Sequence, residues 1–157
     1  MKIAIGSDRR GFEYKQILIE YMEKKGYQVI DVGPYDNMYP VDYPIYGKKV
    51  GKLVSSKECD KGVVICATGI GIMIACNKVK GVRCGMAYTD EVARLMREHN
   101  DVNVVAFGQS QMSMEEVCRR FDIFMNTDFS SGYHCTRIEQ IRCLENEVEI
   151  SQSPFLN

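Results

Sequence analysis

The chain has 157 residues, of which 45% are hydrophobic and 26% charged, with a net charge of −1. That length suits one domain with a buried core. The composition excludes disorder, collagen-like repetition and a nucleic-acid protein held by bulk positive charge.

The apolar run Lys2–Gly6 reads as a buried strand. A polar turn follows at Ser7–Gly11. Tyr14, Ile17, Leu18, Tyr21 and Met22 then recur at helical spacing, and Gly26 sits where a C-terminal cap belongs. Tyr27–Val32 is the second strand. Residues 33–44 hold Gly33, Pro34, Asn37, Pro40 and Pro44 and read as a loop, with a helix over Ile45–Val54. Gly62–Cys66 is the third strand. Gly69 and Gly71 follow it, then a helix over Ile72–Val79. Val82–Tyr88 is the fourth strand, and Thr89 caps a helix reaching Glu98. Asn103–Phe107 is the fifth strand. Ser113 and Glu116 form a capping box ahead of Met114, Val117, Cys118, Phe121 and Met125.

Hydrophobic strands alternating with helices predict an α/β fold. The expected architecture is a three-layer α/β/α sandwich around a five-stranded parallel sheet, Rossmann-like. No repeat or interdomain linker divides residues 1–157. From about residue 127 a C-terminal tail carries a short charged helix near Thr136–Val148, expected to pack on a partner subunit.

The seven cysteines are Cys59, Cys66, Cys76, Cys84, Cys118, Cys135 and Cys143, against two histidines, His99 and His134. No C-x-x-C pair occurs, so neither a zinc nor a redox motif is expected. No secretory leader opens the chain, and no apolar run approaches the roughly 18 residues of a membrane span. A cytoplasmic protein with reduced thiols is expected, with neither a nucleic-acid nor a membrane partner.

In open α/β sheets, ligands bind beyond the carboxyl ends of the strands. The segments there are Ser7–Gly11, Cys66–Gly71, Tyr88–Asp90 and Gly108–Gln111. Cys66-Ala67-Thr68-Gly69-Ile70-Gly71 is the sharpest. Backbone N–H groups in such a turn point at an anion, and the same surroundings favour a thiolate. A tight strand-to-helix turn beside a buried cysteine fits the spacing equally. Asp8 is a candidate substrate ligand or an N-cap. His99-Asn100 closes the fourth helix, where a helix-terminal cation is the simpler reading. His134 and Arg137, three apart, share a helix face that also reads as solvated surface. Arg9-Arg10 is a phosphate contact or plain surface.

Taken together, these residues resemble one family. They are Gly6-Ser7-Asp8 with Gly11-Phe12; Asp42-Tyr43-Pro44; Cys66 through Gly71; Asn77-Lys78; Arg97 through Asn103; Phe107-Gly108; and His134 with Arg137. The set resembles the type B ribose-5-phosphate isomerases and the related galactose-6-phosphate isomerase subunits, over residues 1–145. The resemblance implies aldose–ketose isomerisation of a sugar or sugar phosphate through an enediolate, with no metal or organic cofactor. Cys66 takes the place of the general base and His99 that of the group assisting ring opening. Asp8 and Tyr43 match substrate contacts, and Ala67 through Gly71, with Gly69 and Ile70, the loop that holds the enediolate oxygen. Asn100 matches a further substrate ligand. The resemblance also implies a homodimer or tetramer whose active site takes the His-Asn pair from the neighbouring subunit. Thr68, two residues after the base, is expected to hydrogen-bond to its sulfur.

The chain departs from the family at four places. Arg9 stands at a usual histidine, Ser110 and Tyr133 stand at usual arginines, and Ala67 stands at a usual glycine. Arg137 is retained, and Arg9 is a good bidentate phosphate donor. Ribose 5-phosphate therefore shares the field with another pentose or a hexose, phosphorylated or free. A non-catalytic sugar-phosphate-binding module is the competing class, and retention of both Cys66 and His99 argues against it. A generic nucleotide-binding domain lacks its Walker motif and dinucleotide fingerprint.

Overall fold

The computed structural model describes residues 1–152, so the last five residues of the predicted tail lie outside it. Five parallel strands form one sheet: β1 (Lys2–Ser7), β2 (Gln28–Asp31), β3 (Lys61–Cys66), β4 (Cys84–Met86) and β5 (Val104–Gly108), in the order β2-β1-β3-β5-β4. Helices α1 (Phe12–Lys24), α4 (Asp90–Glu98) and α5 (Met114–Asn126) cover one face. Their Leu18, Met22, Met96, Val117 and Phe121 meet Ile3, Ile5, Val63, Val105 and Phe107 of the sheet. Helices α2 (Tyr43–Ser55) and α3 (Ile70–Cys76) cover the other, where Val50, Val54 and Ile72 pack on Ala4, Val64 and Ala106. This is the three-layer arrangement read from the sequence. No helix among the described residues is long and apolar enough to cross a membrane.

Local chemistry sets the helix ends. Gly26, at φ +85°, ends α1: its N–H donates to Glu23 and that of Tyr27 to Met22, the paired bonds of a glycine-terminated helix. Thr89 accepts from Val92 N at 3.1 Å and starts α4. The Ser113–Glu116 capping box forms in both directions, at 2.8 and 3.2 Å.

Four boundaries differ from expectation by two residues or more. Helix α2 starts at Tyr43, inside the predicted loop 33–44, because Pro44 suits the first turn of a helix. Strand β4 spans only Cys84–Met86, not Val82–Tyr88, because it is an edge strand whose outer backbone is taken up by a side chain. Asn77 donates to Cys84 O at 2.9 Å and accepts from Cys84 N at 2.7 Å, doing the work of a sixth strand over one residue. Helix α3 is correspondingly displaced to Ile70–Cys76, because Asn77 turns from the helix to reach β4. The last helix, α6, starts earlier, at His134–Glu145, where the His134 ring is stacked against α4.

Lys15 breaks the apolar stripe of α1. It is fully buried, yet donates to both oxygens of Asp31, at 2.7 and 2.6 Å, and to Pro34 O at 2.7 Å. All three ammonium protons are used, so the buried charge is paired. The clamp ties α1 to the end of β2 and the loop beyond it.

Candidate active site

The sheet order reverses between β1 and β3, and Cys66 closes β3 beside that switch point. Its side chain is buried, and Sγ accepts the N–H of Gly69 at 3.1 Å. An N–H aimed at sulfur is the contact a thiolate uses. The turn that delivers it needs Gly69, which sits at φ +80°. A side chain there would also lie 2.9 Å from Phe107 O.

The loop Cys66–Gly69 lies on the loop after β5. Gln109 N donates to Cys66 O at 3.0 Å and Ser110 N to Ala67 O at 2.9 Å. Gly108 permits the approach, since a Cβ there would fall 2.6 Å from Thr68 O. The amides of Ala67 and Thr68 have no acceptor among the described residues. They are free to donate to an anionic oxygen. Ala67 is not in the left-handed region, so its methyl adds no backbone strain and only narrows the space.

Thr68 does not bond to the Cys66 sulfur as expected. Its Oγ1 instead accepts Ile70 N at 3.3 Å, closing the turn into α3. Gly69, not Thr68, is the partner of the sulfur, because the backbone N–H is carried under Sγ by the left-handed residue itself.

Asp8 and Tyr43 border the same end of the sheet. Asp8 N donates to Ile65 O at 3.1 Å, one residue before Cys66. Its carboxylate accepts Gly11 N at 2.9 Å, so the capping role is real. Burial raises the Asp8 carboxyl above its ordinary value, against backbone N–H groups and Arg10, which pull it down. Tyr43 opens α2, and its ring lies flat over Gly71. Ile70 points half into solvent beside this cluster. Arg9 is exposed on the 3-10 turn that follows Asp8. A hollow of about 340 Å³ flanks the loop, lined by Thr68, Ile70, Met86, Tyr88, Gln111 and Met112.

His99, Asn100, His134 and Arg137 form a second cluster at the other end of the sheet. Helix α4 runs against the strands and ends at His99, just before β5 begins. Cys66 pairs with Gly108 at the far end of β5, four residues from Val104. At about 3.3 Å per residue that is about 13 Å along the sheet. The rings of His99 and His134 stack at 4.3 Å and 15°, Tyr133 lies on His134 at 4.1 Å, and the Arg137 guanidinium lies 4.7 Å over Tyr133. Arg137 Nη1 is buried with no hydrogen-bond partner among the described residues. Burial, with His99 and Arg137 nearby, holds the His134 imidazole below its ordinary value. Among the described residues no acidic side chain pairs with the Arg137 guanidinium in this stack, which suits it to an anion.

A family model described as Ribose/Galactose Isomerase matches residues 3–141. The chain belongs to that family. Ribose-5-phosphate isomerase B of Escherichia coli is 37% identical over 144 residues, covering 92% of this chain and 96% of that one. The structure of Clostridium thermocellum ribose-5-phosphate isomerase B matches with a TM-score of 0.92 at 42% identity, over 94% of this chain and 99% of that one. The Mycoplasma genitalium enzyme, solved with bound ribulose-5-phosphate, matches with a TM-score of 0.90 at 33% identity, over 94% and 97%. As a ribose/galactose isomerase the chain is an aldose–ketose isomerase, an enzyme and not a binding module.

Sequence reasoning passed over Lys15, which was legible as a charge on the Leu18–Met22 stripe. Gly11 was legible as part of the turn and of the family motif, and the structure gives its reason: a Cβ there would fall 2.5 Å from Ile65 O, so the turn after Asp8 closes onto β3 only with glycine.

Proposed function

We propose that the protein interconverts ribose 5-phosphate and ribulose 5-phosphate in the cytoplasm, with Cys66 as the base. The observation that carries this is the Cys66 sulfur at the carboxyl end of β3, under the Gly69 N–H and beside two unpaired amides. The open-chain aldose gives the proton on carbon 2 to sulfur. The electron pair moves into the carbon 1–carbon 2 bond, and charge gathers on the carbonyl oxygen, where the Ala67 and Thr68 amides meet it. Sulfur then delivers a proton to carbon 1, either the one it took or one its thiol has exchanged with solvent, and the hydroxyl proton on carbon 2's oxygen passes to the oxygen of carbon 1. Gly69 and Gly71 keep the loop close, Thr68 and Ile70 shape its turn into α3, and Asp8 and Tyr43 take substrate hydroxyls.

Ring opening falls to His99, with Asn100 as a further ligand, and both come from a second copy. Within one chain the His99 cluster faces away from Cys66, which supports a homodimer, alone or paired into a tetramer. The β4 edge offers a surface for it: an apolar hollow of about 620 Å³ lined by Met73, Val82, Met86, Ile141 and Leu144, which shares Met86 with the hollow beside the Cys66 loop. Arg137 and His134, with Arg9, receive the phosphate. No cofactor and no metal enters the reaction.

A second reading, a different pentose or a hexose, is favoured by one observation. Tyr133 covers the Arg137 guanidinium with its ring, and Ser110 supplies no cation. The test is turnover on a panel of phosphorylated and free aldoses, beside Cys66→Ala. Turnover of ribose 5-phosphate above the rest is the expected result. Preference for another sugar selects the second reading, and no turnover on any sugar by folded protein overturns both.

A further inference from the structure

Asp101 follows the His99-Asn100 pair and occupies the left-handed region at φ +45°. Glycine is the low-strain residue for such a turn. An aspartate there is explained by what its carboxylate holds. Oδ2 accepts Arg83 Nη2 at 2.6 Å, and Oδ1 accepts Arg97 Nη1 at 2.8 Å. Arg83 comes from the start of the β4 segment and Arg97 from the last turn of α4, so one carboxylate joins two elements.

The two arginines then close on the backbone of the turn itself. Arg83 Nε reaches the carbonyls of Asn100 and Asp101, at 3.1 and 3.0 Å. Arg97 Nη1 reaches Val102 O at 2.5 Å, and its Nε reaches Thr127 O at 3.3 Å. Arg97 is 6% exposed and lies over the Phe124 ring. The carbonyls on both sides of the pair's C-terminal end are therefore pinned by guanidinium groups that Asp101 neutralises. Lys61 adds a third cation facing the same carboxylate. With Asp101 uncharged, three cations crowd the turn and nothing draws the arginines together.

We propose that Asp101 is a positioning residue for His99 and Asn100. It touches no substrate; it fixes the turn that aims the pair, and the His99 ring with it, at the site of a second copy. This rests on the reading of His99 as the ring-opening group. Charge-assisted pairs on both carboxylate oxygens give the turn one orientation, and small misplacements of a positioned group are costly in rate.

The chemistry offers a readout that general loss of structure cannot mimic. Ribose 5-phosphate is mostly a closed ring and must be opened. Ribulose 5-phosphate, with carbon 5 blocked by phosphate, is open and needs only the base. In Asp101→Asn, with the shape kept and the charge removed, isomerisation from the aldose is expected to fall about tenfold. Deuterium uptake from D2O at carbon 1 of ribulose 5-phosphate is expected to stay within about twofold. His99→Asn should show the same split more strongly, and Asp101→Asn on that background should add nothing further. Asp101→Gly, which relieves the backbone and still lacks the carboxylate, should behave as Asp101→Asn. With two histidines in the chain, the His99 ring resonances are also easily followed, and Asp101→Asn should move them. Unmoved resonances, equal loss of both activities, or full activity in Asp101→Gly overturns the proposal. Moved resonances with His99→Asn at the parental rate overturn the ring-opening reading instead.

Discussion

Gly71→Ala separates the position of Tyr43 from the stability of the fold. A Cβ at Gly71 would fall 2.7 Å from Tyr43 Cζ and 2.9 and 3.1 Å from its Cε2 and Cε1. Ordinary carbon contacts need about 3.5–4.0 Å, so the ring must move by nearly an ångström. Tyr43 is 41% exposed and has room to swing outward. Gly71 lies in α3 at an ordinary helical φ, where alanine is favoured by up to about 1 kcal/mol. The melting temperature should therefore hold or rise while the tyrosine leaves its place. One substrate hydrogen bond contributes about 0.5–1.5 kcal/mol, so kcat/KM should fall roughly 2- to 12-fold, mostly through KM. Steady-state kinetics on the aldose phosphate, with thermal melts, reads both quantities. Tyr43→Phe closes a double-mutant cycle: Gly71→Ala on that background should add little, because the hydroxyl is already gone. Parental kcat/KM in Gly71→Ala, or losses that simply multiply, refutes Tyr43 as a substrate contact.

Lys15→Met leaves the Asp31 carboxylate without its cation and should cost about 3 kcal/mol in chemical denaturation; a loss under 1 kcal/mol would show that the clamp matters little. Burial beside Arg97 pulls the Lys61 ammonium down to about 8 from 10.5. Between those values the unfolded chain holds a proton that the folded chain has released, so this penalty eases as pH rises from 8 to 10.5. Lys61→Met should stabilise the protein at pH 7 by about 1–2 kcal/mol, with the gain vanishing toward pH 10.5; destabilisation at pH 7 contradicts it. His134 has the same sign: with its folded value held below 6.5, stability should fall as pH drops below 6.5. His134→Gln should flatten that slope in melts from pH 7 to 5, and an unchanged slope places the effect elsewhere.

The strands were legible because each is a short apolar run between turn residues, and the helix starts because Thr89 and Ser113 announce themselves locally. The Cys66 loop was legible because glycine spacing at the end of a buried strand permits few structures. What escaped depends on distant partners. The length of β4 is set by Asn77, whose amide reads locally as part of a helix. The sulfur's partner depends on the φ of Gly69, and the Thr68 hydroxyl had two equally near choices. Asp101 reads as an ordinary turn residue until Arg83 and Arg97 arrive from two other segments. The placement of His99 at the opposite end from Cys66 is a consequence of topology: a helix following a strand's carboxyl end must return to the other end before the next parallel strand begins.

Cys66 as the base is tested most directly by Cys66→Ala incubated with ribulose 5-phosphate in D2O, with circular dichroism showing the fold intact. The expected result is loss of both ribose 5-phosphate formation and carbon-bound deuterium by at least about a thousandfold, since base and substrate then never exchange a proton. Isomerisation by Cys66→Ala within about tenfold of the parent would remove Cys66 from that role.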